Sequence, residues 1–363
     1  MIRVLEAPRP ILRTSLETMF PCLVEVEDGT LLACFTMGTE MDSADSLTHL
    51  CRSSDGGRTW SQPQPIFPEF RKISRSETSK ITALGGRRIA ALGYAFDRTD
   101  PERPLANPQT GGMQEDIVIW AVSEDAGCTW SAPREIRCKW GAHVEASAPL
   151  TVLRDGSWIS PVAGFPDWDG KMLSRACGRV IRSFDQGNTW NDDVVCMAFP
   201  DAQISCYEQR LCQLDSGAIV VIGWNEDLRG GNLLRNHFTA SFDNGASFTP
   251  PKPTGIAGQA ASLCALGGER LLALHAVRRD TNRPGVYACE IDFSGGVWHE
   301  IDRKIVWEPS APLTRSADAA EIFAYLKFGQ PSALRLRSGE IIMAFWAEEA
   351  GQKRCLTMRL AVD

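Results

Sequence analysis

The chain has 363 residues, of which 44% are hydrophobic and 23% charged, and its formal net charge is −7. That balance is ordinary for a globular protein and excludes the strongly basic face a nucleic-acid partner needs. No stretch stays apolar for the roughly 18 residues of a membrane helix. The twelve cysteines show no C-x-x-C pair and no histidine at ligand spacing. They read as reduced, buried thiols, and neither a metal nor a cofactor is expected. Residues 1–6 carry no apolar leader, so a cytoplasmic location is the expectation.

In chain order, one pattern recurs six times: an apolar alternating strand, a tight turn, and a second apolar strand. The copies span 22–33 around Asp28-Gly29, 81–92 around Gly85-Gly86, and 150–160 around Asp155-Gly156. The others span 211–222 around Ser216-Gly217, 263–274 around Gly267-Gly268, and 333–345 around Ser338-Gly339. A second pattern, S-x-D-x-G-x-T-W, runs in step with the first. It appears at Ser53–Trp60, Ser123–Trp130 and Ser183–Trp190, and in weaker form at Ser241–Phe248. Its Asp accepts bonds from the turn's own amides, its Gly supplies positive φ, and its Trp returns apolar surface to the core. Two repeats in register at a spacing of about 60 residues indicate one repeat architecture over residues 1–363. Six hairpins imply six blades, at 18–66, 76–137, 145–197, 206–254, 257–306 and from 328 onward. The sixth is one strand short, and residues 2–5 are expected to supply that strand and close the ring.

Two stretches interrupt the rhythm. Residues 97–116 form a long loop rich in Pro and Gly, of the kind that is often functional or mobile. Residues 316–327 read as a short amphipathic helix with Ser316 as N-cap, just before blade six. It packs on the rim, or serves as a lid or a contact between copies of the chain, so a homo-oligomer is allowed.

Eight residues before each hairpin turn stand Phe20, Glu77, Ser147, Glu208, Gln259 and Gln330. Five of the six are polar in otherwise apolar strands, which suits a solvated pocket better than a packed core. The loops on the same side add Asp42 and Asp45, Asp97 and Arg98, and Asp167 with Trp168 and Asp169. They also add Trp224, Asn225, Glu226 and Arg235, then His275, Arg278, Arg279 and Arg283. Aromatic rings beside acids and amides are a common way to hold a sugar.

The S-x-D-x-G-x-T-W repeat resembles the Asp-box of the sialidase superfamily. The resemblance implies an all-β, six-bladed propeller of four-stranded antiparallel blades, with the boxes on the face opposite the active site. It also implies roles. Glu208, in Tyr207-Glu208-Gln209-Arg210, matches the glutamate that partners the family's tyrosine nucleophile. Asp42 matches the acid/base aspartate, with Asp45 as a near alternative, and Arg283 matches one of three carboxylate-binding arginines. The departures are as informative. Met19-Phe20-Pro21 stands where the family has Phe-Arg-Ile-Pro, Trp224 replaces a second arginine, and Gln330 replaces the tyrosine. Arg75, Arg210 and Arg235 are the arginines near enough to substitute. A three-arginine clamp makes charge-assisted bonds to a substrate carboxylate, and losing two of the three removes most of that binding.

The expectation is therefore a carbohydrate-active enzyme that cleaves a glycosidic bond with two carboxyl groups. The catalytic set is Glu208, Glu77, Asp42, His143 and Glu145. Glu208 pairs with Glu77 or with Glu145, and His143 is the base if the reaction is a lyase step on a uronic acid. Arg283, Trp224, Asp45, Arg98, Arg210, Tyr207, Gln259, Gln330, Trp168 and His275 form the substrate-binding set. The partner is a small molecule or an oligosaccharide. A propeller that binds a glycan or a protein without catalysis is the alternative.

Overall fold

The structure, a computed structural model, describes residues 1–139, 141–172, 176–230, 232–279, 281–310 and 327–363. It is a ring of six antiparallel sheets, each with its first strand innermost. Blade one consists of Glu17–Glu25, Leu31–Gly38, Leu47–Ser53 and Gln64–Pro65. Blade two consists of Arg75–Gly85, Arg88–Asp97, Asp116–Ser123 and Arg134–Ile136. In blade three the inner strand is broken into Val144–Glu145 and Thr151–Val152, beside Trp158–Gly164, Gly178–Ser183 and Asn191–Met197. Blade four uses Tyr207–Gln213, Ile219–Trp224, His237–Ser241 and Lys252–Pro253, and blade five Ala261–Gly267, Arg270–Val277, Gly285–Asp292 and His299–Trp307.

Blade six is Phe328–Arg335, Ile341–Glu349 and Gln352–Val362, and its outer strand is Ile2–Pro10 from the other end of the chain. Ile2 pairs with Val362 and Val4 with Leu360. This pairing joins the two ends of the chain in one sheet and closes the ring. The helix expected over 316–327 falls outside the described residues, Lys327 excepted.

The four boxes form the expected turns. In the second, Ser123 Oγ accepts the buried Gly127 N–H at 2.7 Å, while Asp125 accepts from Thr129 N and Thr129 Oγ1. These bonds hold the Asp125 carboxyl at about 2, below the ordinary carboxylate range. Each box also packs on the blade before it. Trp130 meets Phe67 of blade one and Trp190 meets Trp120 of blade two, at 6.3 and 5.9 Å between ring centroids.

Gly187 shows why the box demands glycine. Its φ is +87°, and a Cβ there would lie 2.4 Å from the Trp120 ring. Gly187→Ala is therefore expected to cost about 2 kcal/mol, from left-handed strain and overpacking together. Denaturant unfolding of the purified variant measures it, and an unchanged midpoint would refute the packing role.

The twelve cysteines are free thiols, and all but Cys128 and Cys138 are buried. The buried ones serve as small apolar core residues, as Cys34 does between the equally buried Ala33 and Phe35.

Candidate functional site

The inner strands meet at a funnel whose mouth is built from strained backbone. Each strand has a non-glycine residue of positive φ at or beside its start. These are Phe20 (58°), Ser74 (49°), His143 (68°), Glu208 (44°), Ala260 (63°) and Gln330 (41°). In blades one, four and six that residue sits in a β-bulge. The ladder skips between Met19 and Cys22, between Tyr207 and Arg210, and between Gly329 and Ser332. A bulge sets two residues against one and re-aims the side chain it carries. Here it turns Phe20, Glu208 and Gln330 toward the axis. Left-handed backbone at such residues costs about 1–3 kcal/mol each, and such strain clusters at binding and catalytic sites.

The funnel encloses a cavity of about 350 Å³, within the size range of small-molecule sites. Its polar wall is Asp42, Glu77, Glu145, Glu208, Glu226, Gln259, Arg278, Arg279 and Gln330. Its aromatic wall is Phe20, Tyr94, Phe96, Phe165, Tyr207, Trp224 and Trp346. Leu105, Gly111 and Met113 of the 97–116 loop also line it. That loop is fastened down: Asn107 Nδ2 and Thr110 Oγ1 donate to the Trp168 carbonyl at 2.9 and 2.8 Å.

The acids differ in their surroundings. Glu77 is saturated, accepting from Thr48 N, Thr48 Oγ1 and Ser79 Oγ, and burial raises its pKa despite those bonds. It joins blade two to blade one and has little freedom to move a proton. Glu145 is looser. Its Oε2 accepts the Glu208 N–H at 2.7 Å, while its Oε1 is buried with no partner. Burial, and then repulsion from Glu208, push it up to about 7. Asp42 is raised to about 6 by burial, opposed by Arg98 and Lys353. The Glu208 carboxylate accepts from Gln330 Nε2 across the funnel. Arg278 is brought down to about 10 by burial, against the attraction of Glu208. Its guanidinium donates to the Phe328 carbonyl and to Gln259 Oε1, at 2.6 and 3.2 Å. Beside it, Arg279 is ion-paired with Glu226 at 3.0 Å.

Of the residues expected from the sequence, the cavity gathers Asp42, Glu77, Glu145, Tyr207, Glu208, Trp224, Gln259 and Gln330. Trp224 meets Tyr207 with centroids 5.2 Å apart and the rings tilted by 54°. The others lie elsewhere. Arg283 is on the surface, paired with Glu308 at 3.1 Å. Asp45 is spent inside its own loop on Thr39 and Ser43. Arg98 is a buried support whose Nη1 donates to the Asp42 carbonyl. His275 is fully buried beside blade four, with Nδ1 2.8 Å from Asn236 Oδ1, and burial pushes it down to about 3. His143 and Trp168 line a neighbouring cavity, where Arg103 lies over the Trp168 ring. Arg210 faces the shaft beneath the funnel.

Tyr94 and Phe165 were not picked out from sequence. Tyr94 is an interior residue of the second strand of blade two, and nothing in its neighbours marks it. Its phenol is held well above the ordinary value by burial and by Glu145, Asp42 and Glu208. Arg278 and Arg279 were visible only as two of several loop arginines.

Fold and site together define a sialidase-like six-bladed propeller with an acidic, aromatic-walled funnel. Solved structures bear out the fold. A protein of unknown function from Dyadobacter fermentans superposes with a TM-score of 0.74 at 16% identity, over 100% of this chain and 99% of that one. Trypanosoma rangeli sialidase in complex with sialic acid gives 0.66 at 14% identity, over 98% of this chain and 59% of that one. The NanB sialidase of Streptococcus pneumoniae gives 0.67 at 12%, over 98% and 70%. This chain thus spans about three fifths of the trypanosomal enzyme's length. No family model and no curated protein matches the sequence. At these identities the likeness is one of fold, and the chain is a divergent form of it.

Proposed function

We propose that the chain is a glycoside hydrolase that acts in the funnel on a glycosidic bond of a small sugar or oligosaccharide. The observation that carries this reading is the grouping of Asp42, Glu145 and Glu208 in one aromatic-walled cavity, with Glu208 on a strained bulge. A carboxyl group raised to about 6 holds a proton at mildly acid pH and can pass it to a leaving oxygen. Asp42 has that role. Glu208 stabilises positive charge at the anomeric carbon or attacks it, and Gln330 and the coupling to Glu145 set its position. Trp224, Tyr207 and Phe165 offer ring faces to the sugar's C–H groups.

The proposal includes a pH dependence. An acid catalyst must be protonated, so turnover falls as pH rises through about 6. In Asp42→Asn that limb should vanish, with kcat down by about 10²-fold or more on poor leaving groups. Rates on aryl glycosides of graded leaving-group pKa test it. An unaltered profile in the variant would remove Asp42 from the role.

Glycan binding without turnover is the second reading. It is favoured by one contact: the Gln330 amide already occupies the Glu208 carboxylate. Calorimetric binding of an oligosaccharide, without release of reducing ends, would establish it in place of the first. The lyase reading gains nothing comparable, because His143 opens on the neighbouring cavity and not on the funnel.

A further inference from the structure

Below the bulges the inner strands enclose a second, deeper cavity of about 240 Å³ along the propeller axis. Its wall includes Cys22 from blade one, Lys80 from blade two, Arg210 from blade four, Ser262 from blade five and Ser332 from blade six. Lys80 and Arg210 are 3% and 8% exposed. Among the described residues neither belongs to an ion pair. Lys80 Nζ donates to the Phe20 carbonyl. Arg210 Nη1 donates to Ser147 Oγ and to its neighbour's carbonyl at Gln209, at 3.2 and 2.8 Å. Nζ also lies 5.6 Å from the Phe20 ring centroid, and burial lowers the Lys80 pKa; both side chains line the shaft.

Burying one cation without a counter-charge is costly, and burying two in one chamber adds their repulsion. The carboxylates nearby attract the two cations from a distance, but among the described residues none bonds to either. Glu25, on the shaft wall, is held by the Arg337 N–H at 2.9 Å and its guanidinium at 3.5 Å. Glu77 stands three residues from Lys80, but its oxygens are taken by Thr48 and Ser79. Glu145, near Arg210, is directed to the Glu208 amide. The Cys22 thiol reports the same positive field. It is pulled down, first by its bond with Cys34 and then, against burial, by Lys80 and Arg210.

We propose that this shaft is a binding site for a small inorganic anion, a halide or a phosphate-type oxyanion, held between Lys80 and Arg210 with Ser262 as an added donor. The site is distinct from the funnel and does not depend on the function proposed for it. An anion there neutralises the two cations and ties the inner strands of blades two, four and five to one centre.

The test uses the full chain in HEPES buffer free of chloride and phosphate. Chloride is titrated by 35Cl line broadening and inorganic phosphate by calorimetry, which separates the two sources. Saturable binding at one anion per chain is expected. It should weaken about tenfold or more in Lys80→Met and in Arg210→Met, each checked for native circular dichroism. Thermal unfolding of the unmodified chain covers the case in which the variants do not fold. The midpoint should rise and saturate with the bound anion, but not with a bulky anion at equal ionic strength. Absence of saturation with either anion, or undiminished binding in both folded variants, overturns the proposal.

Discussion

Glu208→Gln should lower glycosidase turnover by about 10³-fold while leaving the fold intact, the range expected when a charged catalytic group is lost. Gln keeps the shape and can still meet Gln330 across the funnel, but it carries no negative charge for the anomeric centre. The change should fall on kcat more than on KM, because stacking on Trp224 and Tyr207 is untouched. The measurement is steady-state release of aryl aglycones over a panel of glycosides, with circular dichroism as the fold control. Turnover within a factor of two of the parent protein would show that the reaction, or its site, has been misassigned. Loss of turnover in Asp42→Asn alongside it would support the pair.

Glu145→Gln should change how stability depends on pH by about 3 kcal/mol. The folded protein raises this group from its ordinary 4.5 to about 7, by burial first and Glu208 second. The folded state therefore binds the proton more tightly than the unfolded chain does. Below about pH 4.5 the group is protonated in both states, and its contribution is fully present. As pH rises toward 7 the unfolded chain releases its proton first, and that stability is lost. The difference of about 2.5 in pKa corresponds to about 3 kcal/mol. Gln does not titrate, and its carbonyl can still accept the Glu208 N–H. The variant should thus gain on the parent between pH 4.5 and 8, as followed by denaturant unfolding at each pH. Parallel curves would mean that Glu145 is solvated in the folded protein.

Much of the architecture was legible because propeller blades are local. The turns at Asp28-Gly29, Asp155-Gly156 and Ser338-Gly339 and the boxes at 53, 123, 183 and 241 satisfy their hydrogen bonds within a few residues. Short-range chemistry of that kind is written in the chain itself. The ring position eight residues before each turn was legible for the same reason, since strand length is counted from the turn. It located Glu77, Glu208, Gln259 and Gln330 on the wall of one cavity.

The chain by itself determined six blades, the place of their turns, and an axis rich in acids and amides. Which of those acids differ in proton affinity was decided only by the tertiary structure. Glu77 and Glu145 look alike in sequence. One is saturated by Thr48 of the neighbouring blade, while the other shares a buried pocket with Glu208, 63 residues away. The same holds for the arginines. Arg283 and Arg278 lie five positions apart on one loop, yet the first pairs with Glu308 in solvent and the second reaches the Phe328 carbonyl inside the funnel. A pKa or a side-chain direction is set by whatever stands within a few ångströms, and in a closed ring most of those neighbours come from another blade.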